Sequence, residues 1–145
     1  MSRIRAALIA GAIAITLNML ALWAADLIDL PTAHGGLLKL LSMATGFSPP
    51  DSELFKAAFH AVVGLGMALF SGLLLEPWWR GPALALGLVY AGAVWLANAL
   101  VVLPMTGQGI AGSAHLSLFG ILWFAAAHTL FFVALALIYP RLSRR

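Results

Sequence analysis

The chain has 145 residues, of which 63% are hydrophobic and only 9% are charged, and its net charge is +3. A soluble domain carries about a quarter charged residues, so the composition excludes a soluble domain and indicates one integral membrane domain over residues 1–145. The chain contains no cysteine, which excludes disulfides, thiolate metal sites and cysteine nucleophiles.

Four apolar segments are each long enough to cross a bilayer as a helix. A span of about 20 residues, rising about 1.5 Å per residue, covers the roughly 30 Å of a hydrocarbon layer. Helices are expected because backbone amides in lipid must be satisfied within their own segment. The predicted fold is therefore an all-α bundle of four transmembrane helices. The segments are residues 6–25, 57–75, 83–103 and 116–138.

The connection between the first two segments is about 30 residues long and has room for structure of its own. Within residues 35–46, leucines recur at helical spacing around Lys39, which predicts an interfacial amphipathic helix in the outer headgroup layer. A loop whose leucines dip into lipid is the alternative. Ser48, followed by Pro49 and Asp51, is the predicted N-cap of the second helix, which would then begin before its apolar stretch.

The charges predict an orientation. If the segments alternate across the membrane, only two basic residues, Lys39 and Lys56, fall on one side, together with four acidic ones. An excess of lysine and arginine marks short cytoplasmic loops, so both termini are expected in the cytoplasm. The basic residues are a topology signal and do not form a nucleic-acid site. The six on the other side are Arg3, Arg5, Arg80, Arg141, Arg144 and Arg145.

The second and third helices carry matching faces. Residues recur on each at spacings of four, three and four, and small residues on one helix fall opposite larger ones on the other. Small residues let helices approach closely in lipid, so an antiparallel hairpin around the short inner turn is expected. The predicted pairs are His60 with Asn98, Gly64 with Val94, Met67 with Ala91, and Ser71 with Gly87.

Polar residues inside the apolar segments are the candidate functional groups, because polar side chains in hydrocarbon are costly unless paired. Counting along the helices predicts a second polar pair, Tyr90 with His128, near the midplane. Both sets permit two interpretations, a pocket open to the outside or hydrogen bonds that fix helix packing. The main predicted cluster, in the outer third, consists of Asn18, His60, Asn98 and His115.

No cofactor, metal site or catalytic residue is predicted. Haem b, held by His60 with His115 or His128, is the specific alternative. His60 and His128 are expected to differ in depth by roughly 13 Å, which disfavours that pair. No local ligand spacing such as HExxH is present. Residues 107–112 match GxGxxG by letter, but they follow a membrane helix and not a strand.

The second half of the chain carries a family resemblance. The runs GLVYAGAVWLANALVVLP at residues 87–104 and GQGIAGSAHLSLFG at residues 107–120 resemble small bacterial inner-membrane proteins of uncharacterised function, including YagU-like ones. The resemblance rests on the placement of glycine, tryptophan and proline. It implies four helices in a bacterial inner membrane and carries over no activity.

Three functional classes remain open. The small number of polar residues in the apolar segments favours a non-catalytic membrane protein, either an accessory subunit of a larger membrane complex or a self-associating homo-oligomer. A small-solute carrier or channel working as an oligomer is the first alternative, and it predicts a water path along Asn18, His60 and Asn98. A membrane haem or redox protein is the second. In each class the lipid bilayer is the principal partner.

Overall fold

The structure is a computed structural model that describes residues 1–33 and 35–143. Regular structure in this part of the chain is helical, and it contains no strand. His34 and two arginines of the orientation prediction, Arg144 and Arg145, lie outside the described residues.

The described residues form five principal helices. They are α1 (Arg3–Asp26), α2 (Gly36–Thr45), α3 (Glu53–Phe70 with the π turn Ser71–Leu75), α4 (Ala83–Ala97 with the π turn Asn98–Val102 and the short helix Leu103–Met105) and α5 (Leu118–Ser143). Four of them, α1, α3, α4 and α5, are long and apolar enough to cross a membrane. Both α3 and α4 contain a π-helical turn near their ends, and a 3₁₀ turn, Ile110–Gly112, precedes α5.

The short helix α2 forms within the predicted segment. Gly35 and Gly46 bound it with φ of 85° and 70°, a left-handed conformation that favours glycine. Lys39 Nζ donates a hydrogen bond of 2.8 Å to the carbonyl oxygen of Thr106, just beyond the end of α4. A cation is favourable there because the last carbonyls of a helix carry partial negative charge. Lys39 thus ties α2 to the end of α4.

The second long helix starts before its apolar stretch, as predicted, but its N-cap is Ser52 and not Ser48. Ser52 Oγ accepts a hydrogen bond from the backbone N–H of Phe55. A helix cannot start at Pro49 because the following Pro50 disfavours the helical conformation for the residue before it. Lys56 pairs with two acidic residues at this helix start, Asp51 and Glu53, each at 2.9 Å.

Two of the long helices are central and two are peripheral. In the most apolar stretch of each helix, 44% of the residues of α1 and 39% of those of α5 are buried. The corresponding shares are 22% for α3 and 28% for α4. α1 contacts both α3 and α5, and α5 also contacts α4, so the helices pack in the order α3, α1, α5, α4. The buried face of α1 is built largely from small residues, including Ala7, Ala10, Gly11 and Ala14.

Small residues determine how α3 packs on α1. A Cβ at Gly64 of α3 would lie 2.6 Å from Cδ1 of Ile15, and a Cβ at Gly11 of α1 would lie 2.5 Å from the Cβ of Ala68. Each glycine therefore receives a side chain from the other helix. Close approach of this kind is the usual basis of helix pairing in lipid.

The predicted register between α3 and α4 is wrong, although the residues named for it do pack in the core. Gly64 faces Ile15 and not Val94, and Gly87 faces the backbone of α5 at Phe132 and Val133 instead of Ser71. The small-residue face of α1 occupies this side of α3 instead.

The axial level of the predicted hairpin is nevertheless nearly right. Tyr90, next to the expected partner Ala91, donates a hydrogen bond of 3.4 Å to the carbonyl oxygen of Met67. Ala91 is buried, and Met67 and Val94 pack against the same hydrophobic core. The two helices therefore have the expected relative position along their axes, but the faces predicted to pair do not meet.

One end of the packed helices, here called the arginine end, carries the basic residues of α1, α5 and the turn between α3 and α4. A Cβ at Gly72 would lie 3.1 Å from the Cβ of Ala7 and 2.7 Å from the ring of Tyr139. The start of α1, the end of α3 and the end of α5 therefore lie together. The described basic residues of this end are Arg3, Arg5, Arg80 and Arg141.

Candidate functional site

Asn18 lies at the centre of the buried polar contacts. Its side chain is 1% exposed, on the small-residue face of α1. Its Nδ2 donates a hydrogen bond of 2.9 Å to the carbonyl oxygen of Ala127 on α5. Its Oδ1 lies 2.7 Å from Nε2 of His60 on α3. One amide thus joins three helices.

The hydrogen bonds assign the protons on His60 and His128, which are both partly buried. Because Asn18 Nδ2 is the donor to Ala127, Oδ1 is the acceptor, and His60 Nε2 carries the proton. His128 Nδ1 lies 3.0 Å from the carbonyl oxygen of Phe124, so Nδ1 carries the proton of that ring.

His60 and His128 are neighbours, in contrast to the depth difference predicted for them. Their ring centroids are 6.4 Å apart, at an interplanar angle of 81°. The prediction counted from the apolar boundaries, whereas α3 begins earlier, at Glu53, and α5 begins later, at Leu118. Counted from the actual helix starts, the two rings fall at similar depths.

Two predicted members of the cluster make other contacts. Asn98 Nδ2 donates to the carbonyl oxygen of Val94 on its own helix, at 3.2 Å, and not to His60. His115 is exposed in the connection before α5, and within residues 1–33 and 35–143 its side chain forms no hydrogen bond. The structure therefore joins Asn18 and His60, adds His128, and separates Asn98 and His115 from them.

Tyr90 and His128 do not form the hydrogen-bonded pair that the sequence predicts. The Tyr90 hydroxyl donates to Met67 on α3, and its ring packs on Phe132 with centroids 4.4 Å apart. Phe132 follows His128 by one helical turn on α5. Tyr90 thus connects α4 to both α3 and α5.

The geometry of the histidine pair limits its chemistry. The Nε2 proton of His60 is already donated to Asn18, and the ring of Phe124 packs on His128 with centroids 4.2 Å apart. Haem ligation would have to use the other nitrogen of each ring, Nδ1 of His60 and Nε2 of His128, because those two carry no proton. Among the described residues, no group of three histidines or acidic residues could hold a metal ion.

A buried contact at the arginine end was not foreseen. In the π turn of α3 the backbone N–H of Glu76 donates to Ser71, five residues back. The carbonyl of Gly72 would then need the N–H of residue 77, but that residue is Pro77 and has none. The Tyr139 hydroxyl donates to this carbonyl instead, at 2.8 Å. The sequence feature that could have predicted this contact is Pro77, two residues after the π turn.

A second unforeseen feature is a groove between α3 and α4 in the half nearest the arginine end. The groove has a volume of about 510 Å³ and is almost wholly apolar. It follows from the divergence of the two helices, which a closely packed hairpin would have prevented. Its lining includes Phe70 and Leu74 of α3, Trp78 of the turn, and Leu86, Val89 and Tyr90 of α4.

No protein-family model, curated protein or solved structure matches this chain.

Proposed function

We propose that this chain is a multi-pass protein of the bacterial inner membrane with both termini in the cytoplasm. Four long apolar helices support insertion, each with a mean hydropathy of 2.0 or above. The arginine end carries the basic residues of the short connections, which supports a cytoplasmic location for that end. The other end carries Lys39 and Lys56 together with acidic residues.

Its role in the membrane is that of a non-catalytic protein, an accessory subunit or a self-associating one. The proposal rests on Asn18, whose side-chain amide donates one hydrogen bond to α5 and accepts another from α3. His128 and Asn98 likewise bond to carbonyls of their own helices. Polar groups used in this way stabilise packing.

The outward face of α4 is suited to association with another helix. Gly92, Ala93 and Ala97 are all exposed there, and a Cβ at Gly92 would have no neighbour within 4 Å. Ala93 and Ala97 have the small-xxx-small spacing that permits close helix approach in lipid. Contact between two copies through this face would make the protein a homo-oligomer.

Two leucine substitutions test this association. Gly92→Leu places bulk on the α4 face, whereas Gly66→Leu is a matched control on α3, equally exposed and equally free of neighbours. We expect the molar mass in detergent, measured by light scattering, to fall to that of the monomer for Gly92→Leu only. Equal masses for the two variants and the unsubstituted protein would contradict association through α4.

A visible absorption spectrum of the same preparation tests the non-catalytic assignment. A protein whose histidines serve packing should show no haem band in its visible spectrum. A stoichiometric haem band that is lost in His60→Leu would overturn the proposal in favour of a redox protein.

A further inference from the structure

We propose that the groove between α3 and α4 is a binding site for one acyl chain of an anionic phospholipid, whose phosphate meets Arg80. The site would lie in the cytoplasmic leaflet. The proposal rests on the proposed membrane insertion, and the groove shares one residue, Ala93, with the outward α4 face that was proposed for self-association.

The shape of the groove favours a chain that enters from one side of the membrane. Near its far end Tyr90 crosses from α4 to α3, since its hydroxyl donates to Met67 and its ring lies 6.1 Å from that of Phe70. The lining extends only one helical turn beyond Tyr90, to Ala93, so the groove is confined to the half of the helices nearest the arginine end. A transmembrane helix, about 10 Å wide and spanning the whole layer, needs a groove that runs its full length.

The volume fits a single chain. At about 510 Å³ the groove lies within the roughly 300–1,000 Å³ of sites that bind small molecules, so it has room for one acyl chain and not for a transmembrane helix. The lining is apolar, including Leu86 and Val89, and it offers hydrocarbon contacts throughout.

The open end carries groups that suit an anionic headgroup. Trp78 lines the mouth and is 83% exposed, as expected of a tryptophan at the headgroup level. Arg80 follows in the same turn, is exposed, and forms no ion pair with any residue that the structure describes. Glu76 of this turn lines an adjoining small cavity beside Tyr139, which shares Trp79 and Leu86 with the groove, but Glu76 does not itself line the groove. A phosphate is the natural partner for a guanidinium in this position.

Native mass spectrometry of the purified protein tests the proposal. The protein is titrated with dioleoyl phosphatidylglycerol and, separately, with dioleoyl phosphatidylcholine. Val89→Trp fills the groove. Leu88→Trp is its matched control, because Leu88 directly precedes Val89 on α4, is similarly exposed, and does not line the groove. Arg80→Gln removes the cation, and Arg5→Gln removes a cation from the same end on α1.

We expect one phosphatidylglycerol to bind with at least tenfold preference over phosphatidylcholine. Val89→Trp should abolish this binding and Leu88→Trp should retain it. Arg80→Gln should remove the preference between the two lipids, and Arg5→Gln should leave it in place. Circular dichroism and elution volume check that each variant is folded.

Several results would overturn the site. These are equal lipid binding by Val89→Trp and Leu88→Trp, no difference between the two lipids, or loss of a dimer in Val89→Trp with lipid binding unchanged. The last result would identify a protein occupant. Failure of membrane insertion is a separate outcome, because it is detected by recovery of the protein in the soluble fraction of cells.

Discussion

Asn18 is the residue on which the buried polar contacts depend. Its two hydrogen bonds reach α3 and α5 from the central helix, so its removal takes away the acceptor of the partly buried His60 Nε2–H. An unpaired buried polar group costs about 1–3 kcal/mol. Hydrogen bonds between helices in one membrane protein average about 0.6 kcal/mol, with a maximum near 1.7. The interaction is therefore modest in energy, although it joins three helices.

Asn18 and His60 should be energetically coupled. We expect Asn18→Leu and His60→Leu each to lower the free energy of unfolding in mixed micelles by about 1–3 kcal/mol. The double variant should lose less than the sum, by a coupling energy of roughly 0.5–1.5 kcal/mol. If the two losses of stability simply add, Asn18 and His60 do not stabilise the protein through each other.

Asn98 provides the control for this cycle. It bonds to its own helix, to the carbonyl of Val94, and not to His60. The losses in Asn98→Leu and His60→Leu should therefore add to within about 0.5 kcal/mol. A coupling as large as that of Asn18 would indicate a contact between α3 and α4 that the described geometry does not have.

Among the helices, α3 and α4 share a local device near their ends. Both contain a π turn that stops two residues before a proline, over Ser71–Leu75 before Pro77 and over Asn98–Val102 before Pro104. A proline ring clashes with the carbonyl four residues earlier, and a wider turn relieves that clash. The π turns thus let α3 continue almost to Pro77 and let α4 continue through Pro104 to Met105.

The contact between α1 and α3 should be sensitive to bulk at Gly64. Because the side chain of Ile15 already fills the space over this glycine, Gly64→Leu is expected to destabilise the protein by about 1–3 kcal/mol. Adding Ile15→Ala should restore part of the loss, because it makes room for the leucine. Unfolding in mixed micelles measures both effects.

Gly66→Leu is the control for this prediction. Gly66 lies on the same helix, but nothing lies within 4 Å of a Cβ placed there, so its substitution should change stability by less than about 0.5 kcal/mol. Equal losses for the two leucines, or no rescue by Ile15→Ala, would mean that Gly64 does not face α1.

The whole molecule has one end rich in arginine, and the proposed orientation of this end toward the cytoplasm can be measured directly. The chain has no cysteine, so single cysteines can be labelled without background. With both termini in the cytoplasm, a membrane-impermeant maleimide added outside should label Ser42→Cys and Gln108→Cys. It should label Ser2→Cys and Ser143→Cys only after the membrane is opened. Labelling of the terminal positions in intact cells would show that the termini face outward and would contradict the proposed orientation.

The sequence by itself determined the number, type and approximate bounds of the long helices, and it placed a short helix between the first two. These features follow from the length, hydropathy and capping signals of each segment, which are local properties of the chain. The buried face of α1, with Asn18 on it, was also readable because small residues recur there at helical spacing.

Only the tertiary structure decided which helices pair. Gly64 has a size-matched partner on α4 and another on α1, and a local pattern cannot rank them, because the outcome depends on every other helix that competes for the same face. The partner of His60 is therefore Asn18 and not Asn98, and His128 joins them because the helices begin at residues that hydropathy alone did not identify. The groove between α3 and α4 arises for the same reason, since each of these helices packs on a central helix in preference to the other.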